Sequence, residues 1–375
     1  MAQLDINLLR LTLLCFLAYA VISGLISQIG TVSGSLAQHY SVSISAAAAS
    51  FGYLSTGTLI GTFLSIFAFE WLSLKRAFLL CYSIAALGIL SIAYVDQWTW
   101  LPIAWLVAGG SAGLGLCAAA VCLSALYTGR ARATALLSTD MFFAGTGALI
   151  SPLAASMIGK GGHWYDSYLI LAIACVVMVA VSAYSCFPLT AKENKTADGL
   201  LPKGVPVWLC GAGLFAYLLG QVVMLIWLPN YMQTALGADL GQSAATIGRY
   251  WTGMVIGQVM LVLLLPKVPV HKLLGAIVGL SIIASVPLWT STSATQIGLV
   301  AILLGVCNAG ILKLTIAHAA TLVRHPQRAV TMMLVCGGAG QAVAPFLSSV
   351  LVEVMTAKSA LLLTTFCYLL AAVAI

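Results

Sequence analysis

Residues 70–76 read EWLSLKR and residues 266–272, 196 positions further on, read PKVPVHK. Each closes a long apolar run, sets two apolar residues at alternate positions and ends on a basic pair. Such a segment is too polar to lie in lipid and too short to fold alone, so it reads as the turn between two membrane helices, met twice. The same shift carries Arg132-Ala133 onto Arg328-Ala329. Recurrence at one spacing marks a structural unit used twice.

Outward from these turns the chain is almost wholly apolar. Its 375 residues are 62% hydrophobic and 7% charged, with mean hydropathy +1.08, against about 45–50% and about 25% in soluble domains. A hydrocarbon core ~30 Å thick takes about 20 apolar residues per helix, which gives roughly twelve spans. They read as 8–35, 45–70, 76–95, 100–128, 133–157, 167–188, 205–233, 243–266, 273–291, 296–322, 329–354 and 358–375. All are expected to be helices, because backbone groups in lipid must be satisfied within the segment and no alternating barrel pattern is present. The first run, Leu8 to about Ile29, is longer than a signal-peptide core and reads as helix 1.

Charge fixes the threading. Of sixteen lysines and arginines, twelve fall at every second gap: Arg10, Lys75, Arg76, Arg130, Arg132, Lys192, Lys195, Lys203, Lys267, Lys272, Arg324 and Arg328. The other gaps hold only Lys160 and Lys358, together with Asp96, Asp166, Asp239 and Glu353. By the positive-inside rule this is a multi-pass protein of the cell inner membrane with both termini cytoplasmic. The longest polar stretch, Thr190 to Lys203, divides it into an N-terminal six-helix bundle (1–188), a cytoplasmic linker (189–204) and a C-terminal six-helix bundle (205–375).

The same pattern excludes several classes. The net charge of +7 is spread over turns, not gathered as nucleic acid requires. None of the ten cysteines forms a CxxC or a metal-spaced set, so they read as packing residues, and no metal or cofactor is expected. No nucleotide loop and no HExxH is present, which argues against an enzyme. Every loop is too short for a receptor domain. The expected partners are a small-molecule substrate, protons and the bilayer, with the chain acting as a monomer.

Within the fifth helix of each half, Gly145-Thr-Gly147 followed by Pro152 recurs as Gly338-Ala-Gly340 followed by Pro345. Two six-helix halves in parallel repeat are the organisation of the major facilitator superfamily. The chain resembles that superfamily and, within it, the fucose–galactose–hexose:proton symporter branch with its TsgA-type members. The likeness is carried by Leu72-Ser-Leu74-Lys75, Leu137-Ser-Thr-Asp140-Met-Phe-Phe143 with Gly147, Leu228-Pro229-Asn230-Tyr231, and Glu353 with Ala360-Leu-Leu362. In the superfamily's turn after span 2, Glu70 stands for the usual acid, Ser73 for a glycine and Ile66 for the first glycine. The acidic residues that the sugar symporters keep in spans 1 and 4 are absent here. The resemblance implies an all-α membrane protein, twelve transmembrane helices in two pseudo-symmetric six-helix bundles. It also implies alternating access, a sugar-type substrate, and a cavity lined by spans 1, 4, 7 and 10.

Three charges lie at membrane depth, where each costs roughly 2.5–3.5 kcal/mol and so faces a partner or water. Asp140 is about 12 Å from the basic boundary and Lys313 about 16 Å, at 1.5 Å per residue, so the two can pair between the halves. A carboxylate beside a cation stays charged and one moved into apolar surroundings favours the neutral acid, which makes Asp140 the expected proton site. A fixed clamp between the halves is the plain alternative. Arg249 in span 8 and Lys313 leave one surplus cation, which points to an organic-anion or drug exporter as the second reading. Headgroup contact would account for Arg249 equally. His318 is a candidate proton relay or a packed helix-end histidine.

A polar solute takes amides and rings, so the candidate substrate residues are Gln28, Tyr217, Gln221, Trp227, Asn230, Trp251, Gln258 and Asn308. The Gly145, Gly147, Pro152 and Gly338, Gly340, Pro345 sets read as hinges on symmetry-related helices. Pro152→Ala should therefore slow turnover more than it weakens substrate binding; turnover equal to that of the parent protein would count against the hinge.

Overall fold

The computed structural model describes residues 2–188, 204–323 and 326–375. Apart from Gly204, the expected linker lies outside them, as do Arg324 and the side chains of Arg130, Leu137 and Arg328. The described residues form helices and no strands. The first bundle comprises α1 (Ala2–Ser27), α2 (Ile29–Tyr40), α3 (Ile44–Trp71), α4 (Leu74–Tyr94), α5 (Leu101–Leu126), α6 (Gly129–Gly159) and α7 (Asp166–Ala183). The second comprises α8 (Val205–Leu236), α9 (Leu240–Leu264), α10 (Val270–Ser285), α11 (Pro287–Thr290), α12 (Ala294–Asn308), α13 (Ile311–Thr321), α14 (Pro326–Val354) and α15 (Ala357–Ala374). Among the described residues, twelve stretches are long and apolar enough to cross a membrane, as expected.

Three spans are broken where continuous helices were expected. Span 1 divides at Gln28, whose side-chain amide donates back to the Gly24 carbonyl while its main-chain carbonyl accepts from the N–H of Thr31 and Val32. Span 9 divides before Pro287, which opens α11. Span 10 divides at Ala309-Gly310, where Gly310 takes φ +84°, a left-handed conformation that glycine adopts without a Cβ penalty.

The turn at 70–76 is held by its own side chains. Ser73 is the N-cap of α4, its hydroxyl accepting the Arg76 N–H at 3.4 Å. Lys75 Nζ donates to the Ala183 carbonyl at the end of α7, 2.7 Å away, satisfying one of that helix's open carbonyls.

The repeat is visible in the packing. A Cβ on Gly57, Gly61 or Gly109 would run into the carbonyls of Leu106, Gly110 and Leu54. Exactly the same shift of 196 gives Gly253, Gly257 and Gly305, which meet the carbonyls of Ile302, Val306 and Tyr250. The α3–α5 pair and the α9–α12 pair thus approach backbone to backbone on matching glycines and matching partners, the device by which membrane helices gain dispersion contact.

Between the bundles, α3 packs on α14, α6 on α9 and α2 on α8. Gly30 lies against the Leu225 and Ile226 carbonyls, Gly52 against the Phe346 ring, and Gly147 beneath Trp251. Tyr53 meets Phe346 edge-on at 5.4 Å, as Phe143 meets Trp251. Chain direction puts most of these contacts in the halves nearest Asp96, Asp166 and Asp239, called here the acidic end.

Replacing Gly61 or Gly257 by Ala should lower the melting temperature in detergent. Gly279→Ala, with nothing within 4 Å of the added methyl, should hold it or raise it slightly, since alanine is favoured over glycine in helices by up to ~1 kcal/mol. Equal behaviour of the three variants would contradict the close-packed seam.

Candidate functional site

A cavity of about 350 Å³ lies between the bundles, and both contribute to its wall. From the first come Tyr19 on α1, Ser55, Thr58 and Thr62 on α3, Cys117 on α5, and Asp140 and Phe143 on α6. From the second come Tyr217 and Gln221 on α8, Trp251 and Gln258 on α9, Asn308, Lys313 and Gln341. Most of the remaining wall is aliphatic.

Asp140 and Lys313 meet inside it. Lys313 Nζ stands 2.7 Å from Asp140 Oδ2 and donates to the Leu136 carbonyl at 3.2 Å. One charge belongs to each bundle, so the pair bridges them. With the two side chains 38% and 23% exposed, the pair is not sealed in either bundle's core.

A buried amide–phenol network sits behind the cavity. Gln221 Nε2 donates to the Tyr250 hydroxyl at 2.6 Å, and Asn308 Nδ2 donates to the hydroxyls of Tyr250 and Tyr368 at 3.1 and 2.8 Å. The Tyr217 hydroxyl donates to the Asn308 carbonyl. Four cavity-lining groups keep a polar atom without a partner among the described residues: Ser55 Oγ, Trp251 Nε1, Gln258 Oε1 and Asn308 Oδ1. Buried polar atoms in folded proteins are nearly always paired, so four unpaired ones on residues of one cavity wall mark where a small side-chain shift would let a ligand or water bond.

Not all the candidates converge. Gln28 is fully buried within its bundle, where its Oε1 accepts from the Ser167 hydroxyl and ties α1 to α7. Trp227 is buried along α8, and Asn230 lies half-buried near the end of that helix; neither lines the cavity. Arg249 is exposed on α9, its guanidinium against Gly298 of α12, and does not line the cavity. The surplus cation expected beside the substrate is therefore absent there, because Arg249 sits on the outward face of α9. His318 borders a separate, smaller pocket with His271, between α10, α13 and α15.

Pro152 and Pro345 each lie inside one continuous helix. The glycines near them occupy close approaches: Gly147 beneath Trp251, Gly338 against Leu59, Gly340 against the Phe215 carbonyl. Only Gly145 has open space. Tyr19, Ser55, Thr58, Thr62 and Gln341 were not among the sequence candidates. Ser55, Thr58 and Thr62 recur at i, i+3 and i+7, one face of a helix, and that polar stripe on an apolar span is the signal that identifies them.

A twelve-span double bundle around a central cavity defines a membrane transporter, and the chain belongs to the major facilitator superfamily, whose family model matches residues 11–294. Over most of its length it is similar to the TsgA proteins. The TsgA homolog of Serratia proteamaculans (strain 568) is 25% identical over 343 residues, 90% of this chain and 86% of that relative. TsgA of Escherichia coli O9:H4 (strain HS) is 24% identical over 361 residues, 95% and 91% of the two chains. Among solved structures, the nucleoside transporter NupG superposes with a TM-score of 0.73 at 14% identity, covering 98% of each chain. An inward-facing, unoccupied bacterial homolog of the human lysosomal transporter Spinster gives 0.65 at 14% identity, covering 99% of this chain and 96% of its own.

Since Gln28 holds α1 to α7, Gln28→Leu should lower the melting temperature and leave the affinity of a transported solute unchanged within twofold or so. A selective loss of affinity at unchanged melting temperature would return Gln28 to the substrate site.

Proposed function

We propose that this protein is a secondary active transporter which moves a small polar solute by alternating access, coupled to protons. The observation that carries the reading is the Asp140–Lys313 ion pair, shared between the two bundles within a cavity that both line. Rocking of the 1–188 and 205–375 halves about that cavity would part the two charges. A carboxylate left without its cation in an apolar setting is most stable as the neutral acid. Separation and protonation then accompany one another, and the proton becomes part of the transport cycle.

Orientation follows from charge. With the lysine- and arginine-rich end in the cytoplasm, both termini are cytoplasmic, the membrane is the cell inner membrane, and the tight acidic-end contacts form a closed external side. The conformation is then inward-facing. A single chain contains the whole cavity, which supports a monomer as the working unit.

A sugar-type solute is the reading drawn from family resemblance, with Gln221, Gln258, Asn308 and Ser55 as hydroxyl partners and Trp251 as a ring to stack on. The aliphatic wall favours a second reading, an organic acid or drug-like solute, because pyranoses take a denser set of hydrogen-bond partners than this wall offers.

Counterflow and uptake of radiolabelled galactose, fucose and lactate in proteoliposomes test the proposal. The transported solute should accumulate several-fold under a pH gradient. Asp140→Asn should keep counterflow and lose the gradient dependence. Gradient-driven accumulation that survives in Asp140→Asn would remove this carboxylate from the mechanism.

A further inference from the structure

Span 10 breaks where its mate in the other half does not. The stretch 196 residues earlier runs unbroken through α5, and Cys117 occupies there the place of Lys313; both line the cavity. In the second bundle α12 ends at Asn308, Gly310 turns, and α13 begins at Ile311. The first N–H groups of a helix lack carbonyls one turn upstream, and Gly310 supplies no side-chain cap. Gly310, Leu312 and Lys313 line the cavity, so this terminus borders it. It carries roughly half a positive charge, to which Lys313 adds a full one.

Two further residues of the same cavity wall each carry a buried polar atom without a partner among the described residues. Asn308 is 1% exposed, gives both amide hydrogens to tyrosines and leaves Oδ1 unpartnered. Trp251 is 2% exposed and its indole N–H has no partner either. Both line the same cavity. A positive helix end, a buried acceptor and a buried donor together fit a solute with one anionic group and a hydroxyl beside it.

We propose that the solute is an organic acid with a single carboxylate and a neighbouring hydroxyl, whose carboxylate replaces that of Asp140 on Lys313 as Asp140 takes up a proton. This inference rests on the transport reading above and names its substrate class. The balance closes. Before binding, the cavity holds one carboxylate and one ammonium. Afterwards the solute's carboxylate faces the ammonium and Asp140 is a neutral acid, its new O–H bond made with a proton from water. Net charge is zero in both states, so one anion and one proton cross together. The titratable groups facing Asp140 are Lys313 from α13, Tyr19 from α1 and Cys117 from α5; on α9, Tyr250 belongs to the network behind the cavity and Arg249 lies outside it. The Phe143–Trp251 pair and the aliphatic wall receive the apolar remainder of the acid.

The test titrates purified full-length protein in weak buffer near pH 6 with mandelate, lactate and the neutral mandelamide, following heat and a pH indicator. Mandelate or lactate should bind with uptake of a proton, and mandelamide about tenfold or more weakly with none. Asp140→Asn, which imitates the protonated acid, should bind the carboxylates without proton uptake, and Lys313→Gln should lose them. Equal binding of mandelate and mandelamide, or carboxylate binding to the parent protein without proton uptake, would overturn the inference. Proton-driven galactose uptake with no carboxylate binding would also overturn it and leave the transporter reading standing.

Discussion

Everything in this molecule depends on main chain lying against main chain. In lipid, apolar side chains gain little by meeting one another, so helix association rests on dispersion and on how closely backbones approach. Six glycines, Gly57, Gly61, Gly109 and their mates Gly253, Gly257, Gly305, permit that approach in α3–α5 and α9–α12. Each bundle is built around such a seam. The contacts between bundles are more mixed, with rings and aliphatic side chains around a void beside the backbone approach of Gly30 to Leu225 and Ile226.

The void is where the energetic liabilities gather. A charge at membrane depth costs a few kcal/mol, and Asp140 and Lys313 offset one another only while they touch. Placing one on each bundle makes the offset conditional on how the bundles sit. The four unpartnered polar atoms around them carry a similar liability until something bonds to them. Closely packed bundles flanking an incompletely satisfied centre are the arrangement a transporter requires, because the cost is relieved by solute, water or proton.

The spans, the repeat and the fold class were legible in the sequence, because hydropathy and charge act locally and the bilayer imposes a single period. Asp140 and Lys313 were legible too, since depth follows from counting residues to the nearest basic boundary. Facing was not. Arg249 satisfied the depth argument and points elsewhere, as does the helix-end candidate His318, since a helix places a residue on any side of its axis and only packing selects one. Gln28 lies in a span expected to line the cavity, yet it serves the break in span 1 and the bond to Ser167. The breaks themselves were hidden because a lone amide or glycine in an apolar run, such as Gln28 or Gly310, is equally compatible with a continuous helix. Ser55, Thr58 and Thr62 show the converse: their periodicity was present in the chain, masked by the mild polarity of hydroxyls.

The matched glycine seams also set which kinds of sequence change this architecture can absorb. Loops between spans can lengthen or shorten with small loss, since closure entropy grows slowly with length. Inserting a single residue inside α3 or α9 turns everything beyond it by about 100°, swinging later glycines off the seam and bulky neighbours onto it. Drift among descendants of this chain should therefore accumulate as substitutions and loop indels, while the length of each seam helix stays frozen.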